Sequence, residues 1–191
     1  MAKTDPEAAR QRHKTIRWVV TVFLITVAIS GIISLVSDEV MDSSSLPVAF
    51  LILLAIVMVG IIFDIIGMAV ASADEKPFHS MAARKVPGSQ EAIRLLRNAE
   101  RVSSICNDVV GDICGVVSGS ASATIAALIL TQVDVGWPRG VSLVMSALVA
   151  GLTVGGKAIG KTFAVNSCTQ IVHMVGKVLH ALNGLHGKKK K

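Results

Sequence analysis

The sequence predicts an all-α fold, a polytopic membrane protein of four transmembrane helices with amphipathic juxtamembrane helices. Three observations carry that expectation. Hydrophobic residues make up 52% of the chain and charged residues only 17%, and the mean hydropathy is +0.63, too apolar for an ordinary soluble domain. Apolar runs able to cross a ~30 Å hydrocarbon core, which takes about 20 residues, recur along the chain. Basic residues collect in alternate connecting segments, as a multi-pass topology requires.

The first span is expected over residues 16–36, behind the basic stretch "RQRHKTIR". A cleaved signal peptide is the other reading of such a pattern, but this apolar run is too long for one and no small-residue cleavage site follows in "SLVSDEVMD". The second span covers residues 46–73. The third covers 102–130 and carries Asp108 and Asp112 near its start. The fourth, 141–154, is short and needs the stretch "GGKAIGKTFA" to complete its crossing.

Charge sets the orientation, because Lys and Arg in short flanking segments stay on the cytoplasmic side. Lys3, Arg10, Arg12, Lys14 and Arg17 precede the first span, Lys76, Arg84, Lys85, Arg94, Arg97 and Arg101 separate the second from the third, and the tail ends "GKKKK". The remaining loops, "SDEVMDSSS" and "TQVDVGWPRG", are acidic or nearly neutral. The expected arrangement is a multi-pass protein of the cell membrane with both termini cytoplasmic. It divides into a basic N-terminus (1–15), a transmembrane domain (16–162) that includes a cytoplasmic juxtamembrane segment (74–101), and an amphipathic helix with a basic tail (163–191); no soluble domain is expected. The net charge of +6 then points to the lipid bilayer and anionic lipids as partners, at about 1 kcal/mol per basic residue near the surface, rather than to nucleic acid.

Within the central segment, "SQEAIRLLRNAERV" starts at Ser89 as an expected helix N-cap and sets Ile93, Leu96 and Val102 against Arg94, Arg97 and Arg101. It reads as a helix lying in the inner interface. After Thr162, Phe163, Ile171, Val175, Val178, Leu179 and Leu182 recur at helical spacing and predict a second such helix, since a fifth crossing would carry the lysine tail outside. His173, His180 and His186 lack the compact i, i+4 spacing of a zinc-binding pair and are assigned to its polar face. Cys106, Cys114 and Cys168 show no C-x-x-C spacing and are read as small packing residues. Gly111, Gly115 and Gly119 form overlapping G-x-x-x-G units, a face that lets another backbone approach, within the chain or across a dimer.

Ionisable groups inside a span cost about 2.5–3.5 kcal/mol each and usually face the bundle interior with a partner. Asp64 and Lys157 each lie seventeen residues beyond the outer start of their spans, about 25 Å deep at 1.5 Å per residue. Asn107 and Asp108 lie about 8 Å from the inner face by the same measure. All converge on one level in the inner third. Asp108 and Asp112, four apart, share a helix face. Asn107, Asp108, Asp64 and Asp112 are therefore candidate ligands for a hard cation such as Mg²⁺ or Ca²⁺, with internal pairing or wetting at the interface as the plainer reading.

Over residues 63–164 the chain resembles the transmembrane domain of the cyclin M (CNNM)/CorC (CorB) magnesium transporters. "GMAVAS" at 67–72 stands where that family has an "ETALVS"-like segment, "ICNDVVGDI" at 105–113 where it has "LGNTLVNI", and "GKAIGKTFA" at 156–164 where it has "GEIxPKTxA". The resemblance implies Mg²⁺ as a substrate ion, a homodimer, a broken final helix, and Asn107 as a helix-borne amide ligand; Gly156, Lys161, Thr162 and Ala164 are retained. The departures are specific. The family's membrane-buried Glu falls on Lys157, its Pro on Gly160 and the Glu of "ETAL" on Gly67. Lysine offers three donors and no acceptor while protonated, so Lys157 would act as a charge partner or switch rather than as a ligand.

Two functions are open from these residues. One is an ion transporter with an inward-facing polar cavity. The other is a non-transporting scaffold or accessory subunit in which Lys157 replaces the bound cation. No nucleophile elbow, phosphate loop or H-E-x-x-H motif is present, and no enzymatic activity is expected.

Overall fold

The computed structural model describes residues 6–42, 44–133 and 136–187, with side chains described over 15–37, 39–40, 44–133 and 136–183. The side chains of Lys3, Arg10, Arg12, Lys14 and His186, and the lysines after Gly187, lie outside the described residues. Nearly all that is described is helix, in the order α1 (Pro6–Asp42), α2 (Leu46–Ser72), α3 (Lys76–Ala83), α4 (Ser89–Arg97), α5 (Ala99–Ser104), a π-helical segment (Ile105–Gly111), α6 (Asp112–Gln132), α7 (Pro138–Asn166) and α8 (Cys168–Gly187). Prolines stand in the first turns of α2, α3 and α7, where a missing N–H costs nothing.

Four helical stretches are long and apolar enough to cross a membrane: Thr15–Ser37, Leu46–Ser72, Ala99–Gln132 and Pro138–Asn166. The fourth does run through Lys157 and Lys161. It also runs unbroken, without the interruption the family resemblance implies. Gly160 in place of proline keeps its N–H, so the helical ladder has no reason to open there.

Helix α2 is the central post, packed by α6, the π segment and α7, with α5 and α8 against its far end, while α1 leans on α6 alone for most of its contact. Near the Pro47 end the core consists of Ala49, Leu53 and Val57 from α2, Ala121, Ile125 and Ala126 from α6, and Met145 and Val149 from α7. Beyond the opposite end a second core forms from Ala69 and Val70 of α2, Phe78 of α3, Ala92 and Leu96 of α4, Ala164 of α7 and Val172 of α8.

That second core changes three expectations for the juxtamembrane segments. The helix expected from Ser89 onward breaks at Asn98 (φ −117°), so α5 belongs to the third span and Arg101 to its first turns. Ser89 is not the cap: Gly88 precedes the helix with φ +83°, and Ser89 Oγ donates to the Val86 carbonyl at 2.6 Å instead. Phe163 lies in α7, and the buried face of α8 centres on Val172 and Gly176, leaving Val178 and Leu182 exposed. Helices α4 and α8 thus pack on each other, and their apolar residues are spent largely on that contact.

The α4–α8 contact is a backbone-to-backbone crossing. A Cβ on Gly88 would stand 2.5 Å from the Lys177 amide nitrogen, and a Cβ on Gly176 would overlap the Gly88 carbonyl. Only glycine fits both the close approach and the left-handed turn at position 88. Two histidines stitch the crossing. His173 Nε2 lies 3.3 Å from the Pro87 carbonyl, and His180 Nδ1 lies 3.0 Å from Glu91 Oε1. The hydrogen bond from His180 holds the Glu91 carboxyl below its ordinary value.

Candidate functional site

The α2–α7 seam is closed by two glycines one turn apart. A Cβ on Gly156 would overlap Ile61 Cδ1, and one on Gly160 would lie 2.7 Å from Ile65 Cγ1. Small residues at i and i+4 let the helix axes approach where the surrounding lipid offers no hydrophobic drive. The consequence for chemistry is local: Lys157, next to Gly156, is carried onto the face of α2 that bears Asp64.

Lys157 Nζ stands 3.7 Å from Asp64 Oδ1, with the Asp64 side chain 7% and the Lys157 side chain 22% exposed. That is an ion pair outside hydrogen-bond reach. The π segment forms the third wall. Its Gly111 is buried, and a Cβ there would lie 3.2 Å from Lys157 Nζ and 3.9 Å from Asp64 Oδ1. A bare backbone is what allows the ammonium to lie between the three helices.

Asn107, on the same segment, reaches the opposite side of the pair. Its amide oxygen occupies the space a Cβ on Gly67 would need, one turn along α2 from Asp64. The position where the related family carries a glutamate is therefore filled from the neighbouring helix by an amide. Asn107 Nδ2 donates to Ser103 Oγ at 3.3 Å. Two buried oxygens, Asp64 Oδ2 and Asn107 Oδ1, have no hydrogen-bond donor among the described residues.

Of the four proposed cation ligands, the structure brings Asp64 and Asn107 to the interior but not the other two. Asp108 and Asp112 are exposed, and Asp108 Oδ2 accepts from Ser104 Oγ at 2.8 Å. The wider π turn sends Asn107 inward, and the residue after it then points outward. Among the described residues, no three His, Cys, Asp or Glu side chains group to hold a metal ion.

The three cysteines are free, and Cys114 packs its Cβ where Gly60 of α2 leaves room. The G-x-x-x-G face of α6 divides. Gly111 lies against the ion pair, whereas Gly115 and Gly119 would find nothing within 4 Å of an added Cβ, so they serve no close approach within the chain.

Set against family models, curated proteins and solved structures, the chain matches none. Its chemistry rests on its own geometry. Sequence reasoning did not single out Ser103, Ser104 or the π segment. It gave Gly67 and Gly160 no role beyond their departures from a family pattern. The one usable signal was small residues at the same depth as the charges.

Proposed function

We propose that the protein is a multi-pass membrane module, with both termini cytoplasmic, in which the Lys157 ammonium stands where a transported cation would bind. In this reading it is a non-transporting scaffold or accessory subunit locked by its own ion pair. The observation that carries the reading is the 3.7 Å contact between Lys157 Nζ and a carboxylate almost wholly removed from solvent. A tethered ammonium neutralises Asp64 without any ion from solution. Because each charge alone costs several kcal/mol to bury, the two side chains hold α2 and α7 together only while both are present.

One observation favours a second reading, transport of Mg²⁺ as substrate through a polar cavity, as the family resemblance implies. Asp64 Oδ2 and Asn107 Oδ1 are buried acceptors without donors, and oxygen atoms of this kind suit a hard cation. Lys157 would have to withdraw before a dication could sit beside them, since it contributes a positive charge and no lone pair.

Melting in detergent with increasing Mg²⁺, Mn²⁺ or Co²⁺, together with uptake into proteoliposomes, separates the two. The scaffold reading expects no cation-dependent rise in Tm and no uptake by the native protein. It expects a Mg²⁺-dependent rise in the Lys157→Glu variant, where two carboxylates would then face Asn107. A native protein stabilised by Mg²⁺, with the effect lost in Asp64→Asn, would establish the transport reading instead.

A further inference from the structure

A recess of about 310 Å³ opens between α1 and α5, lined by Arg17, Trp18, Thr21 and Arg101. It lies apart from the Asp64–Lys157 pair. Arg17 and Thr21 are one turn apart on α1, so their side chains share a face, and Trp18 lies between them. From the other wall, the Arg101 guanidinium lies over the Trp18 ring at 5.5 Å from its centroid, within cation–π range.

Two features make this more than a pair of solvated arginines. Among the described residues neither Arg17 nor Arg101 forms an ion pair, so two guanidinium groups converge on one recess without a carboxylate to neutralise them. The recess also sits at the start of two membrane-crossing stretches at once, Thr15–Ser37 and Ala99–Gln132. Towards the apolar belt it continues into exposed hydrocarbon, Leu24 and Ile25 on α1 and Ile105 one turn beyond Arg101. Trp at such a boundary sits at headgroup level.

We propose that this recess binds the phosphate of an anionic glycerophospholipid, with Arg17 and Arg101 donating to the phosphate oxygens, Thr21 supplying a hydroxyl, and the acyl chains lying along Leu24, Ile25 and Ile105. Guanidinium matches phosphate geometry with paired N–H donors, and Trp18 holds Arg101 in position before the lipid arrives. A soluble phosphate would use the same two arginines but would leave the hydrocarbon flank uncovered. The lipid serves both parts, and it would tie α1, which otherwise packs mainly on α6, to the start of the third span.

Native mass spectrometry of the full chain from micelles supplied with phosphatidylglycerol, phosphatidylcholine or inorganic phosphate tests the assignment. The native protein is expected to retain one phosphatidylglycerol in preference to phosphatidylcholine. The Arg17→Gln/Arg101→Gln double variant is expected to retain it about tenfold more weakly, the loss of roughly one charge-assisted contact. Arg101→Lys should fall between the two, and the Arg84→Gln/Arg97→Gln control should behave as native. If the double variant does not fold, each single glutamine variant is read against the same control. Equal retention of both lipids, an equal loss in the control, or inorganic phosphate that binds and excludes phosphatidylglycerol would each overturn the proposal.

Discussion

Near Pro47, α2, α6 and α7 meet through Ala49, Leu53, Val57, Ile125 and Val149, and hydrophobic side chains make the whole of that core. Farther along, the same three crossings meet around Asp64, Asn107 and Lys157, with two buried oxygens left without donors. The first contact can be explained by packing alone. The second cannot, because a membrane helix is more stable with leucine than with an unpaired aspartate at that depth. The difference teaches where a function should be sought, and it also assigns different costs to similar-looking substitutions in the two regions.

The largest expected effect is on the polar contact. Lys157→Ala leaves Asp64 buried and unpaired and is expected to destabilise the bundle by about 3–5 kcal/mol, read as the fall in unfolding free energy in mixed micelles. A loss below that of an ordinary surface substitution would remove the distinction between the two regions.

Glycines sharpen the same contrast. Gly67→Ala forces Asn107 from its seat and should cost about 1–3 kcal/mol through overpacking. Gly115→Ala, where an added methyl meets nothing, should be neutral or stabilising by up to about 1 kcal/mol through helix propensity. Measured in one denaturant series, the two changes should have opposite signs. Equal costs would mean that α6 uses its whole glycine face within the chain.

The smallest expected effect lies outside the spans, in the α4–α8 crossing. The Glu91 carboxyl is held below its ordinary value by the His180 hydrogen bond. Its contribution is therefore fully present above the unfolded carboxylate value and fades as pH falls through the lowered folded value. Glu91→Gln should cost about 0.5 kcal/mol near neutral pH, screened because His180 is over half exposed. At a pH well below the carboxylate range the native and variant proteins should melt together.

Much of this was readable in advance, for identifiable reasons. Span positions follow from apolar length, and observed ends differ by a few residues because caps and breaks such as Asn98 carry little hydropathy signal. Counting residues inward from Pro47 and Gly140 brought Asp64 and Lys157 to one level, because rise per residue in a straight helix is fixed. Rotation was less legible. The π segment shifts every side chain after it, so Asp108 and Asp112, which looked inward by spacing, face out. Nor does G-x-x-x-G spacing say which glycines are used: Gly156 and Gly160 close the α2–α7 seam, while Gly115 and Gly119 stand open. Only the facing side chains, Ile61 and Ile65, make that difference.

The central claim is that Lys157 and Asp64 stabilise the bundle as a pair. A double-mutant cycle measures this directly, with Lys157→Met, Asp64→Asn and the double variant unfolded in the same micelles. A pair at 3.7 Å predicts that each single change costs more than the two together imply, with a coupling of about 1–3 kcal/mol. Additive costs would contradict the claim and would return Lys157 to the status of a lysine at the end of a helix.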